Sequence, residues 1–131
     1  MSRIIIAEDD EIVAAVLQAK LIEAGHAVGV LDNGSDALAV IEAKRPDLVI
    51  MDCNMPGMTG VQVVQNMRKS DAMWDIPVMM LTGRRGNNDR SVAMYAGADD
   101  YATKPFDPDH IVFRVEELLS SFKKGGPERR S

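Results

Sequence analysis

Residues 47–60 read Asp47-Leu48-Val49-Ile50-Met51-Asp52-Cys53-Asn54-Met55-Pro56-Gly57-Met58-Thr59-Gly60. Four successive apolar residues leave no polar position for a solvated face. Such a run suits a strand buried on both sides, as in a parallel sheet covered by helices. Asp47 to Met51 is therefore read as a strand, and the chain leaves it on a carboxylate, Asp52. Pro56 and Gly57 then make the following segment a turn-rich loop up to Thr59.

The same grammar repeats on either side. Apolar runs at Arg3–Ala7, Ala27–Leu31 and Val78–Leu81, and a more polar run at Asp99–Thr103, read as four further strands. Helical spacing separates them. Ile12, Val13, Val16, Leu17 and Leu21 are expected on the inner face of a helix from Glu11 to Ala24, stopped by Gly25. Ala37, Leu38 and Ile41 mark a second helix, opened by Asn33-Gly34-Ser35 and ending before Pro46. Gly60, Val63, Val64 and Met67 mark a third. A loop over Gly83–Asn88 is expected to lead into a short fourth helix ending at Ala96, closed by Gly97. Asp107-Pro108 opens a fifth, with Ile111, Val115, Leu118, Leu119 and Phe122 inward. Alternating strands and helices with short loops predict parallel strands and right-handed crossovers.

The chain has 131 residues, 46% of them hydrophobic, which suits one compact domain spanning 1–124. Residues 125–131, opened by Gly125-Gly126-Pro127, read as a disordered tail or linker stub. A net charge of -5 argues against direct nucleic-acid binding. One cysteine, Cys53, allows no internal disulfide and fits a reducing compartment. The N-terminus carries neither a signal peptide nor a membrane span, so a soluble, cytoplasmic protein is expected. Met51, Met79 and Met80 are read as core filler, and Trp74 as a loop residue packed at the surface. Neither His26 nor His110 has a second histidine or cysteine nearby in sequence to suggest a metal site.

Parallel strands end at one edge, where ligands of open α/β sheets bind. Glu8-Asp9-Asp10, Asp52, Thr82 and Lys104 each follow an apolar run, so all should meet there. Like charges ~4 Å apart cost about 4 kcal/mol at an effective dielectric of 20, which a hard divalent cation such as Mg²⁺ would offset. With one more charge neutralised by Lys104, Asp52 is a candidate carboxylate nucleophile toward phosphorus, and Thr82 a donor to a phosphoryl oxygen. Taken singly, each residue has a plainer reading. The acidic run can be an acidic first helical turn, Asp52 a turn former and Lys104 a solvated lysine. Their joint position at strand ends carries the inference.

These segments resemble the receiver domain of bacterial two-component response regulators. The resemblance rests on Ile5-Ile6-Ala7-Glu8-Asp9-Asp10, the stretch 47–60, Pro77-Val78-Met79-Met80-Leu81-Thr82, and Ala96 to Phe106 through Asp99-Asp100-Tyr101 and Lys104-Pro105. Its spacing is specific: 43 residues from Asp9 to Asp52, 30 to Thr82 and 22 more to Lys104. The resemblance implies a flavodoxin-like, doubly wound (βα)5 domain with a five-stranded parallel sheet in order 2-1-3-4-5. It implies that Asp52 accepts a phosphoryl group from a histidine kinase or histidine phosphotransfer protein, with Mg²⁺ as cofactor. Asp9 and Asp52 would ligate the metal directly, Asn54 through its backbone carbonyl, and Glu8 through water. Asp10 is left outside the ligand set. Lys104 would contact the phosphoryl group, and a cis Lys104-Pro105 bond is implied.

Thr82 and Tyr101 fall at the family's switch positions, which implies that phosphorylation changes the surface of the fourth helix, fifth strand and last helix for a downstream protein target. A monomer or a weak phosphorylation-dependent dimer is expected. Arg90, Asp100 and Arg114 are suited to dimer contacts, but the charged set is incomplete. Arg84, two residues after Thr82, is expected to influence phosphoryl lifetime or the binding of small anionic donors. Cys53, beside Asp52, is read as an inert buried thiol. The domain is read as a signalling domain and not a turnover enzyme. Two alternatives are a pseudo-receiver interaction module, which would lack a key residue, and a haloacid-dehalogenase-like phosphatase. The latter wants a second Asp two residues after the nucleophile, where this chain has Asn54.

Overall fold

The computed structural model describes residues 1–83 and 86–123, with the side chains of 86–90 and 123 left aside. Arg84 and the tail 125–131 lie outside the described residues, as does the side chain of Arg90. Strands β1 (Arg3–Ala7), β2 (Ala27–Leu31), β3 (Leu48–Asp52), β4 (Val78–Thr82) and β5 (Asp100–Thr103) alternate with helices α1 (Glu11–Glu23), α2 (Gly34–Lys44), α3 (Gly60–Lys69), α4 (Gly86–Ala96) and α5 (Pro108–Lys123). The strands form one sheet in order β2-β1-β3-β4-β5, and every pairing is parallel. This is the expected order.

The sheet separates two cores. On one face Ile5, Val49, Met51 and Met80 pack with Ile41 of α2, Val63, Val64 and Met67 of α3 and Ala93 of α4. On the other, Ile4, Ile6, Ile50, Met79 and Leu81 pack with Leu17 and Leu21 of α1 and Ile111 and Val115 of α5. Every residue of β3 and β4 is buried, as the unbroken apolar runs require. Each fully buried Leu, Ile or Met contributes about 1.5–3 kcal/mol relative to exposure. The central strands therefore anchor the edge to which Asp52 and Thr82 belong.

Four sequence expectations shift. In α1, Ile12 (76% exposed) and Val16 (40%) face outward, and the buried positions are Ala14, Leu17 and Leu21. The helix is apolar on nearly all sides, so its periodicity does not select the inner face. Helix α4 begins at Gly86, inside the stretch expected to be a loop through Asn88. Strand β3 is shifted by one residue, to Leu48–Asp52: Asp52 pairs with Leu81, and the Asp47 carboxylate stays outside it and accepts from the Arg3 N–H at 2.7 Å. Strand β5 begins at Asp100, since the Asp99 carboxylate instead accepts from the Val78 N–H at 2.8 Å and from Arg68 at 3.2 Å. Trp74 is half-buried in the turn after α3, and its carbonyl accepts from Arg68 at 3.1 Å.

Candidate metal and phosphoryl site at the strand ends

The C-terminal edge gathers the expected residues. Glu8, Asp52 and Thr82 are buried at 1%, 5% and 2% exposure, while Asp9 is exposed. Carboxylate oxygens of Glu8, Asp9 and Asp52 all lie within 4.8 Å of one another. Lys104 reaches over them, with Nζ 2.6 Å from Glu8 Oε1 and 3.3 Å from Asp52 Oδ2. The Lys104-Pro105 bond is cis, as the resemblance implied.

The loops that shape this edge have local causes. Asp10 is the N-cap of α1, its side chain accepting from the N–H groups of Ile12 and Val13 at 2.9 and 3.2 Å. A carboxylate so engaged offsets the unpaired donors and positive end of the helix. This explains why Asp10 stands apart from the Glu8, Asp9 and Asp52 cluster. After β3, Asn54 N–H donates to Asp52 Oδ1 at 3.2 Å, holding the carboxylate against the loop. Thr59 closes the loop by capping α3 in a reciprocal box with Gln62. Gly60 packs so tightly that a Cβ there would sit 1.8 Å from the Asp52 carbonyl oxygen.

Burial raises the Glu8 pKa above the ordinary glutamate value, reinforced by its hydrogen bond with Asp52 and only partly opposed by Lys104. On Lys104, burial works against the charge, but close contact with the Glu8 carboxylate and the Asp52 and Glu8 charges outweigh it, and the pKa is raised. Buried Glu8 Oε1 has close ionic contact with Lys104 but no well-directed hydrogen bond. An under-coordinated buried oxygen within a group of three carboxylates suits a hard, oxygen-loving divalent cation.

Thr82 Oγ1 donates a long bond, 3.4 Å, to the Ala102 carbonyl. Tyr101 is half-buried on the neighbouring strand. Arg114 on α5 pairs with the Asp100 carboxylate, donates to the Tyr101 carbonyl and places Cζ 5.9 Å from the Tyr101 ring centroid. Asp100 and Arg114, considered for contacts between copies, are thus engaged within one chain. Cys53 is buried, at 6% exposure. His26 also has partners that its sequence neighbours do not reveal. Its Nδ1 accepts from the Ser2 N–H at 3.2 Å, and its Nε2 meets Glu116 on α5. His110 stacks on Phe113.

Comparison with known proteins agrees with the fold and the motif. The profile of the response regulator receiver domain matches residues 4–116. The alkaline phosphatase synthesis transcriptional regulatory protein PhoP of Bacillus subtilis is 32% identical over 125 residues, covering 95% of this chain and 51% of its own length. The signal receiver domain of a signal transduction histidine kinase from Syntrophus aciditrophicus superposes with a TM-score of 0.88 at 31% identity, covering 100% of this chain and 98% of that one. The receiver domain of the sensor histidine kinase PA1611 from Pseudomonas aeruginosa superposes with a TM-score of 0.85 at 27% identity, covering 92% and 98%; that structure holds a magnesium ion coordinated in its active-site cleft. The chain belongs to the response regulator receiver domain family. It spans about half the length of the curated relatives it matches. No described helix is long and apolar enough to cross a membrane.

Proposed function

We propose that the unit over residues 1–124 is a phosphorelay receiver that accepts a phosphoryl group on Asp52 from a histidine kinase or histidine phosphotransfer protein. The observation that carries this reading is the Glu8, Asp9 and Asp52 cluster with Lys104 against it. An Asp52 carboxylate oxygen attacks phosphorus as the bond to the donor nitrogen or oxygen breaks, and the leaving group departs with that bond's electron pair. Lys104, already within 3.3 Å of Asp52, would follow the charge onto the transferred phosphoryl oxygens. Asp9, Asp52 and the Asn54 carbonyl would hold Mg²⁺, with Glu8 bound through water. The ion would neutralise the carboxylate repulsion and the charge on the phosphoryl oxygens.

The phosphoryl group adds roughly -1.5 to -2 charges at a buried strand end. Thr82, whose hydroxyl makes only a long bond to Ala102, is free to turn toward the new oxygens. Tyr101 then rotates toward the space Thr82 leaves, and the surface of α4, β5 and α5 changes for a downstream protein. Moving such an equilibrium from 1:99 to 99:1 requires about 5.5 kcal/mol of differential stabilisation. The role is signalling, with no direct nucleic-acid contact from these residues, in keeping with the net charge of -5. The test is Mg²⁺-dependent labelling by acetyl phosphate or phosphoramidate. One acid-stable, base-labile phosphoryl adduct per chain is expected, and no adduct with either donor contradicts the reading.

A further inference from the structure

The two edges of this sheet are protected unequally. At β5, the Tyr101 N–H is taken by the Asp100 carboxylate at 2.8 Å, and the Tyr101 carbonyl by the Arg114 guanidinium. Charged side chains blunt that edge, as sheet edges require if they are not to pair with other chains. Strand β2, the opposite edge, reads Ala27-Val28-Gly29-Val30-Leu31, without a charge or a proline. The Ala27 N–H bonds to Ser2 and the Leu31 carbonyl accepts from Glu8, so the odd-numbered residues face β1. Val28 and Val30 therefore direct their backbone groups outward. Among the described residues one side chain guards them: Gln18 Nε2 donates to the Val28 carbonyl at 3.2 Å.

Beside this strand lies an apolar groove of about 300 Å³ between β2 and α2, lined by Ala27, Gly29, Leu31, Val40 and Pro46 and flanked by Lys44. A Cβ on Gly29 would meet nothing within 4 Å.

We propose that β2 is a self-association edge, on which a second copy of this chain pairs antiparallel about a two-fold axis at Gly29. Val28 and Val30 of each copy then exchange backbone hydrogen bonds with Val30 and Val28 of the other. Gly29 faces Gly29 as a non-hydrogen-bonded pair, where Cα atoms come to about 4.5 Å. The strand is self-complementary about this point, which favours a second copy over an unrelated peptide. Charge agrees. The N-terminal end of β2 lies beside Arg3 and Lys44, while Asp32 and Asp36 follow its C-terminal end. An antiparallel two-fold brings unlike ends together. Gln18 acts as a reversible guard, which must release Val28 for pairing to occur.

The full 131-residue chain tests this by sedimentation over rising concentration. The wild-type weight-average mass should climb toward twice the monomer value, and Gln18→Ala should tighten pairing by about fivefold for each Gln18 displaced. Gly29→Lys alone and Gly29→Glu alone should stay monomeric, through like charges at the axis. An equal mixture of the two should pair again. Circular dichroism should stay unchanged in both variants, because the space beside Gly29 is open. Gly29→Cys should cross-link as a dimer on oxidation, the Cα separation falling within disulfide range, while Cys53 stays buried. The proposal is overturned if wild type and Gln18→Ala both remain monomeric at all concentrations. It is equally overturned if dimers persist in Gly29→Lys, or if the charge-swapped mixture fails to pair.

Discussion

Lys104 Nζ stands 2.6 Å from a buried oxygen of Glu8 that accepts no hydrogen bond. This contact joins the end of β5 to the end of β1 across β3, which carries Asp52, and β4. A charge left alone in such surroundings is costly, whereas the pair is tolerated. Lys104→Met should therefore lower the unfolding free energy by about 2 kcal/mol, less than for a fully enclosed pair because Lys104 keeps some exposure. Adding Glu8→Gln should recover most of the loss. Urea unfolding of the four-member cycle reads the coupling, and simple additivity would show that the two residues do not act as a pair.

Glu8 also sets a pH dependence. Its folded pKa lies above 4.5, raised first by burial and then by the hydrogen bond with Asp52. The folded protein thus holds this proton more tightly than the unfolded chain. Its contribution to stability is present at low pH and falls as pH rises through the window above 4.5. In the metal-free protein, Glu8→Gln should gain stability relative to wild type as pH rises through that window. Mg²⁺ competes with the same proton, so wild-type Mg²⁺ affinity should fall as pH is lowered through it. A wild-type minus Glu8→Gln difference that does not change with pH would count against this assignment.

Asp10 separates two uses of an acidic run. As the cap of α1 it should cost about 1 kcal/mol of stability when replaced by alanine. Mg²⁺ affinity should hardly change in Asp10→Ala, while Asp9→Asn should lose most of it. Titration calorimetry on both variants decides the matter, and equal losses of affinity would return Asp10 to the ligand set.

The close approach of Gly60 to Asp52 couples helix packing to the site. A methyl at Gly60 collides with the Asp52 carbonyl, which is rigid backbone. Gly60→Ala should destabilise the fold by about 3 kcal/mol and slow phosphoryl transfer in whatever fraction stays folded. The slowing should persist at temperatures where circular dichroism shows the variant fully folded. Wild-type stability in Gly60→Ala would mean that the loop has room to move.

Much of this organisation is legible in the sequence because β3 and β4 are apolar without interruption, leaving no other place for Leu48–Met51 and Val78–Leu81 than the middle of a parallel sheet. Once the strands are parallel, Glu8, Asp9, Asp52, Thr82 and Lys104 follow as neighbours. Local signals fail where two readings use the same residue types. Helix α1, apolar around its circumference, does not declare its inner face, and Gly86-Asn87-Asn88 looks like a loop although α4 begins there. Partnerships distant in sequence leave no local trace. Arg68 with Asp99, His26 with Glu116 and Arg114 with Asp100 exist only once the chain has folded. Asp10 belongs with the ambiguous residue types instead, since a carboxylate after β1 can serve either as a helix cap or as a metal ligand.

The phosphoryl-accepting role proposed for Asp52 can be tested directly. The most direct measurement is intact mass after incubation with phosphoramidate and Mg²⁺, followed by borohydride reduction and peptide mapping. One phosphoryl group per chain is expected, mapped to Asp52, absent from Asp52→Asn and absent when Mg²⁺ is chelated. Equal labelling of Asp52→Asn, or a modification mapped to another residue, would contradict it.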